Sequence, residues 1–150
     1  MTACGAASSS SRPLVLIVED DPETRQLYSH ALEGAGFRID EAHNGFQALE
    51  KALASPPDLI VADIAIPGMD GIELCRRLRA DDRTRSVPVL AMTGYGERRY
   101  PDRARLAGAD EVLIKPCDTD TFLAEALRLL ASPPRFEVAR TAPRSAKATT

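Results

Sequence analysis

Five short apolar runs recur along the chain: LVLIV at 14–18, FRID at 37–40, LIVAD at 59–63, VPVLAMT at 87–93 and VLI at 112–114. Four are apolar at successive positions, the pattern of strands buried on both faces, whereas Phe37, Arg38, Ile39 and Asp40 alternate as at a sheet edge. Amphipathic stretches separate and follow them. Asp21 before Pro22 reads as a helix cap with proline at the first helical position, and Leu27, Ala31, Leu32 and Ala35 form an apolar stripe ending at Gly36. Asn44 with Gln47 and Asp70 with Glu73 have capping-box spacing, and Met69 with Leu74 sits at hydrophobic-staple positions. The fourth helix, at 97–107, has only Ala104, Leu106 and Ala107 as apolar partners to Arg98, Arg99, Arg103 and Arg105, with Pro101 at its start. A fifth begins near Thr119, faces inward with Phe122, Leu123, Ala126, Leu127 and Leu130, and stops before Pro133 and Pro134. Five strands alternating with five helices predict a doubly wound α/β sandwich around a parallel sheet.

Outside this pattern, 1–13 and 132–150 lack apolar period and are rich in Ser, Ala, Pro and Thr, so they are expected to be flexible tails on a domain spanning 14–131. A chain of 150 residues, 44% hydrophobic and 27% charged, has the make-up of one soluble domain. It has no run of about 20 apolar residues for a membrane span and no secretory leader pattern, so a cytoplasmic location is expected. Cys4, Cys75 and Cys117 are widely separated and form no CxxC pair, which predicts reduced thiols. The net charge of −3 is uneven. Arg135, Arg140, Arg144 and Lys147 against Glu137 make the basic C-terminal tail +3, Arg12 adds one at the start, and the remainder carries −7. Such an acidic body argues against direct nucleic-acid binding.

In an open α/β sheet, ligands bind beyond the carboxyl ends of the strands. Those ends carry Glu19, Asp20 and Asp21, then Asp63, Thr93 and Lys115. Neither GxGxxG nor GxxxxGK[ST] accompanies them, which disfavours a nucleotide. Close approach of Glu19, Asp20 and Asp63 costs roughly 1 to 4 kcal/mol per pair at ~4 Å unless a cation intervenes. An all-oxygen set with room for water suits Mg²⁺. A carboxylate beside a metal, a lysine and a threonine hydroxyl has the parts needed to accept a phosphoryl group. His30 and His43 are solitary and are expected to be neither catalytic nor metal-ligating, and the arginines of the fourth helix read as a solvated face.

The strings VEDDP at 18–22, DIAIPGMDG at 63–71, MTGYG at 92–96, GAD at 108–110 and IKP at 114–116 occur in order at the expected strand ends. With them the chain resembles the receiver domain of two-component response regulators. That resemblance implies a flavodoxin-like fold with strand order 2-1-3-4-5. It also implies Asp63 as phosphoacceptor, with a sensor histidine kinase or histidine phosphotransfer protein as donor. Mg²⁺ would be bound by Asp20, Asp63 and the Ala65 backbone carbonyl, with Glu19 acting through water. Lys115 would pair with Asp63, the Thr93 hydroxyl would move toward the phosphoryl group, and Pro116 would follow on a cis bond. The resemblance implies a signalling module rather than an enzyme.

Two departures stand out. Val112 occupies the position where the family carries a switching aromatic, and Cys117 replaces a frequent Phe. The unusual fourth helix belongs to the face, with the fifth strand and fifth helix, that the family uses for partners. With 19 residues after 131, a stand-alone receiver is expected, signalling to partners by a conformational switch or passing the phosphoryl group along a relay. Two other classes compete: a scaffold that works without phosphorylation, and an aspartyl-phosphate phosphatase. The latter lacks its second acid, because Ile64 and Ala65 follow Asp63.

Overall fold

The chain is seen in a computed structural model that describes residues 12–94 and 99–131. The apolar runs become β1 (Leu14–Val18), β2 (Arg38–Ala42), β3 (Leu59–Asp63), β4 (Val89–Gly94) and β5 (Glu111–Lys115). All pair in parallel, in the order β2-β1-β3-β4-β5. The helices between them are α1 (Pro22–Gly34), α2 (Gly45–Ala54), α3 (Gly71–Ala80), α4 (Arg99–Ala107) and α5 (Thr119–Ala131). Pro101 lies in the first turn of α4, where a missing N–H is not needed. Cys4, Tyr95, Arg98 and both expected tails beyond 12–131 lie outside the described residues.

Alternation along the inner strands divides the core into two layers. Leu16, Val18, Ile60, Ala62 and Ala91 face α2, α3 and α4, while Val15, Ile17, Val61, Leu90 and Met92 face α1 and α5. Tyr28 of α1 stacks on Phe122 of α5 at 4.6 Å between ring centroids, joining the two helices on the second face.

The expected apolar stripes hold in part: Ala31 and Leu32 of α1 and Phe122, Leu123, Ala126 and Leu130 of α5 pack in the core, and the rest is corrected. On α1, Leu27 is 56% exposed and Ala35 is exposed, while Tyr28, Ser29 and Leu32 are buried. On α5, Leu127 is 46% exposed and Leu129 is buried beside Phe122 and Ala126. Among the α4 side chains that are described, only Ala104 is fully buried, and Leu106 projects into solvent. The caps are half-formed boxes. Asn44 and Asp70 accept from the N–H groups of Gln47 and Glu73, but the Gln47 side chain turns back to the His43 N–H and Glu73 pairs with Arg76 and Arg77. Met69 and Leu74 are both buried in the same core layer.

Two contacts fix the sheet ends. A Cβ on Gly71 would lie 2.8 Å from the Asp63 carbonyl oxygen, so the absent side chain lets α3 seat directly on the end of β3. At the opposite end, the Arg79 guanidinium donates to the carbonyls of Gly108, Arg85 and Val87 and pairs with Asp110 at 2.9 Å. Asp110 in turn accepts the Val89 N–H at 2.8 Å. This knot ties α3, the entry to β4 and the α4–β5 turn together.

Candidate functional site

Four parallel strands end on one edge, and each delivers a polar side chain there. β1 runs directly into Glu19 and Asp20, β3 ends on Asp63, β4 carries Thr93 one residue before its end, and β5 ends on Lys115. The carboxylate oxygens of Glu19, Asp20 and Asp63 lie within 4.8 Å of one another. Glu19 and Asp63 are buried, at 2% and 7% exposure, and Asp20 is exposed to solvent. The site is therefore a half-sunken acidic cup with one open wall.

Lys115 spans the cup. Its Nζ donates to Asp63 Oδ2 at 2.7 Å and to Glu19 Oε1 at 3.3 Å. The other Asp63 oxygen, Oδ1, accepts the Ala65 N–H at 3.0 Å, and Glu19 Oε2 accepts the Asp21 N–H at 3.1 Å. The Lys115–Pro116 peptide bond is cis. Ala65 itself is exposed at the rim, two residues after Asp63.

The electrostatics follow from crowding. Burial, then the charge of Asp63, pushes the Glu19 carboxyl up to about 7, against the opposing pull of the Asp21 N–H and Lys115. Burial works against the Lys115 ammonium, but its hydrogen bond and charge attraction to Asp63, with Glu19 behind them, outweigh that and raise its pKa overall. One lysine cannot neutralise three carboxylates. An all-oxygen donor set, partly open to water and short of positive charge, fits a hard divalent cation such as Mg²⁺.

Thr93 is 1% exposed, and its Oγ1 has no hydrogen-bond partner among the described residues. A buried hydroxyl without a partner costs roughly 1 to 3 kcal/mol, so the Thr93 hydroxyl is suited to donate to a ligand oxygen at this edge. Val112, at the position where the resemblance implies an aromatic side chain, is buried in the core layer that also contains Ala91 and Ala104. Cys117 is partly buried, and its thiol is pushed up by burial and then by Asp118. Among the described residues, the clustered His, Cys, Asp and Glu groups able to hold a metal include neither His30 nor His43.

Every side chain expected at the site is thus brought to this edge, with Ala65 at its rim. Arg25 was not anticipated there. Its guanidinium, on α1, donates to the Glu19 main-chain oxygen at 2.8 Å and pairs with Glu41. The only sequence signal was a basic residue one turn into the helix after the acidic pair.

Comparison with known proteins agrees with this arrangement. Residues 15–127 match the model of the response regulator receiver domain. Over 118 residues the chain is 39% identical to the DNA-binding dual master transcriptional regulator RpaA of Synechocystis, covering 79% of this chain and 49% of that protein. It spans about half the length of that relative. Over 109 residues it is 33% identical to the polar-differentiation response regulator DivK of Brucella anthropi, covering 73% of this chain and 89% of DivK. Among solved structures, it is similar to the receiver domain of a Pseudomonas aeruginosa sensor histidine kinase, which has a magnesium ion coordinated in its active site cleft. The TM-score is 0.76 at 27% identity, covering 81% of this chain and all of that one.

Proposed function

The chain belongs to the response regulator receiver family of two-component systems, and we propose that Asp63 is its phosphoacceptor. A sensor histidine kinase or a histidine phosphotransfer protein supplies the phosphoryl group, and Mg²⁺ is the cofactor. The observation that carries this reading is the pairing of Asp63 with Lys115 at 2.7 Å on the strand-end edge that also carries the buried Thr93 hydroxyl, which has no hydrogen-bond partner among the described residues.

An Asp63 carboxylate oxygen forms a bond to phosphorus as the bond from phosphorus to the donor imidazole nitrogen breaks. The imidazole leaves with that electron pair and regains its proton from solvent. Asp20, Asp63 and the Ala65 carbonyl would hold the Mg²⁺, with Glu19 acting through water. When bound, the ion supplies positive charge against the phosphoryl oxygens. Lys115 already balances the Asp63 charge and transfers that role to the phosphoryl oxygens once they arrive. The Thr93 hydroxyl then donates to a phosphoryl oxygen, which gives the buried group its acceptor and draws the end of β4 toward Asp63.

That inward movement is the signal. Val112 has no ring to swing in behind Thr93, so the output passes through the backbone of β4 and α4 to the α4-β5-α5 face, where a partner protein reads it. Three groups already bridge this face: Arg105 of α4 and Arg128 of α5 both pair with Glu111 of β5, at 3.2 and 3.1 Å.

Incubation with acetyl phosphate and Mg²⁺, followed by intact-protein mass spectrometry, tests the proposal. One acid-stable, hydroxylamine-labile phosphoryl adduct is expected, lost with EDTA and in Asp63→Asn. Absence of an adduct with both acetyl phosphate and a phosphorylated histidine kinase would favour the scaffold reading instead. Beryllofluoride titration by NMR should move β4, α4 and β5 resonances; a response confined to the acidic cup would refute the proposed output route.

A further inference from the structure

The main chain of Glu19 is tied on both sides. Its N–H donates to the Ala42 carbonyl at 3.1 Å, continuing the ladder between β1 and β2 by one step. The paired register of those strands ends at Val18 and Ala42, so no strand donor follows for the Glu19 carbonyl. Arg25 supplies it through Nη1 at 2.8 Å. The guanidinium is itself held, its Nε donating to Glu41 Oε1 at 3.3 Å, while the buried Ser29 hydroxyl donates to Glu41 Oε2 at 2.7 Å. The Arg25 side chain is 14% exposed and that of Glu41 is 42%, so the guanidinium lies largely inside while its carboxylate anchor reaches the surface.

We propose that Arg25, anchored by Glu41 and Ser29, is a positioning residue for divalent-cation binding, fixing the Glu19–Asp20 turn through its main chain. This rests on the reading that the acidic cup binds Mg²⁺. Lys115 acts on the carboxylates directly, whereas the contacts of Arg25 described above are to a peptide carbonyl and to Glu41. Its removal leaves every acidic group and Lys115 in the protein but frees the turn that aims two of the three acids. The proposal has a definite sign. If Arg25 acted only as a nearby positive charge, deleting it would strengthen cation binding. If it positions the turn, deleting it weakens binding, as loss of supporting partners of metal ligands does.

Mg²⁺ titration of the full chain by calorimetry and NMR at fixed ionic strength provides the test. Arg25→Met keeps the apolar stem of the side chain, and the double variant Arg25→Met with Glu41→Gln leaves net charge unchanged. Both are expected to raise the Mg²⁺ dissociation constant about tenfold, the lower end of what loss of such partners costs. Arg25→Lys, whose ammonium lacks the fork that reaches both acceptors, is expected to fall between them and wild type. Circular dichroism and thermal melts in EDTA identify any variant that fails to fold, in which case Arg25→Lys decides the question. Unchanged or tighter Mg²⁺ binding in a folded Arg25 variant overturns the proposal. Failure of the underlying reading looks different: wild type itself would not saturate with Mg²⁺, or Asp63→Asn would titrate like wild type.

Discussion

Replacing Glu19 with glutamine should remove a pH-dependent load from the metal-free fold. Glu19 is 2% exposed, and its carboxyl is pushed up to about 7 from 4.5, by burial first and the Asp63 charge second. A carboxyl whose pKa is raised by folding holds its proton in the native state after the unfolded chain has released it. Native stability is therefore unaffected below pH 4.5, falls as pH rises from 4.5 to about 7, and is flat above that. The rise from 4.5 to about 7 corresponds to roughly 3 kcal/mol of native stability lost by pH 8.

Glutamine keeps an oxygen to accept the Asp21 N–H but carries no charge near Asp63. Urea unfolding in EDTA at pH 5 and pH 8 gives the comparison. The two proteins should differ little at pH 5, and Glu19→Gln should be more stable by about 3 kcal/mol at pH 8. Adding Mg²⁺ at about a hundred times its dissociation constant should return about 2.7 kcal/mol to wild type and less to the variant, which lacks one acidic group of the cup, so the gap narrows by RT times the logarithm of the ratio of the two dissociation constants. Wild-type and variant curves that stay parallel from pH 5 to 8 in EDTA would refute the argument.

Other perturbations separate structural from functional groups. Arg79→Met should cost about 3 to 5 kcal/mol in urea unfolding, because it removes the cation paired with the Asp110 carboxylate and the donors to the Gly108 and Val87 carbonyls; a loss under about 1 kcal/mol would show that the knot does not hold the turn. Thr93→Val should stabilise the metal-free protein by about 1 kcal/mol, since the hydroxyl it removes is buried without an acceptor, and should slow or weaken the beryllofluoride response; destabilisation on thermal melting would mean the hydroxyl has a native partner. Leu129→Ala should cost about 2 to 5 kcal/mol and Leu127→Ala well under that, by thermal or urea unfolding; equal costs would overturn the assigned face of α5.

The sheet was legible because strands buried on both faces are apolar at successive positions, as β1, β3 and β4 are up to their polar ends; β5 met the same criterion although it lies at the sheet edge with Ile114 51% exposed, so its expected burial on both faces is corrected. Helix phase was harder. On α1, hydropathy favours Leu27 over Tyr28 and Ser29, yet the inward face is Tyr28, Ser29 and Leu32. Tyr28 finds Phe122, and Ser29 finds Glu41, so both are accommodated in the interior. On α5, the sequence offers two overlapping stripes one residue apart. Phe122, Ala126 and Leu129 prevail, with Ala126 fully buried at the centre of the stripe and Leu127 left outside. Periodicity identifies an amphipathic helix but leaves its rotation open by about one residue when apolar side chains occupy both phases.

The same distinction divides the site. Glu19, Asp20, Asp63, Thr93 and Lys115 could be found from the sequence because each stands at or beside the end of a recognisable strand, and parallel strands deliver their ends to one edge. Arg25 could not be found that way. Its target is a peptide carbonyl, and a main-chain acceptor leaves no mark in residue type. Nor could the sequence distinguish Thr93 as a β-branched core residue from Thr93 as a hydrogen-bond donor, because both occupy the same space. What separates them is the missing acceptor, a property of surroundings assembled from β3, β4 and β5. Side chains proposed to contact a ligand can thus be read from position in the topology, whereas the one proposed to aim them, and the hydroxyl without a partner among the described residues, emerge only from the folded packing.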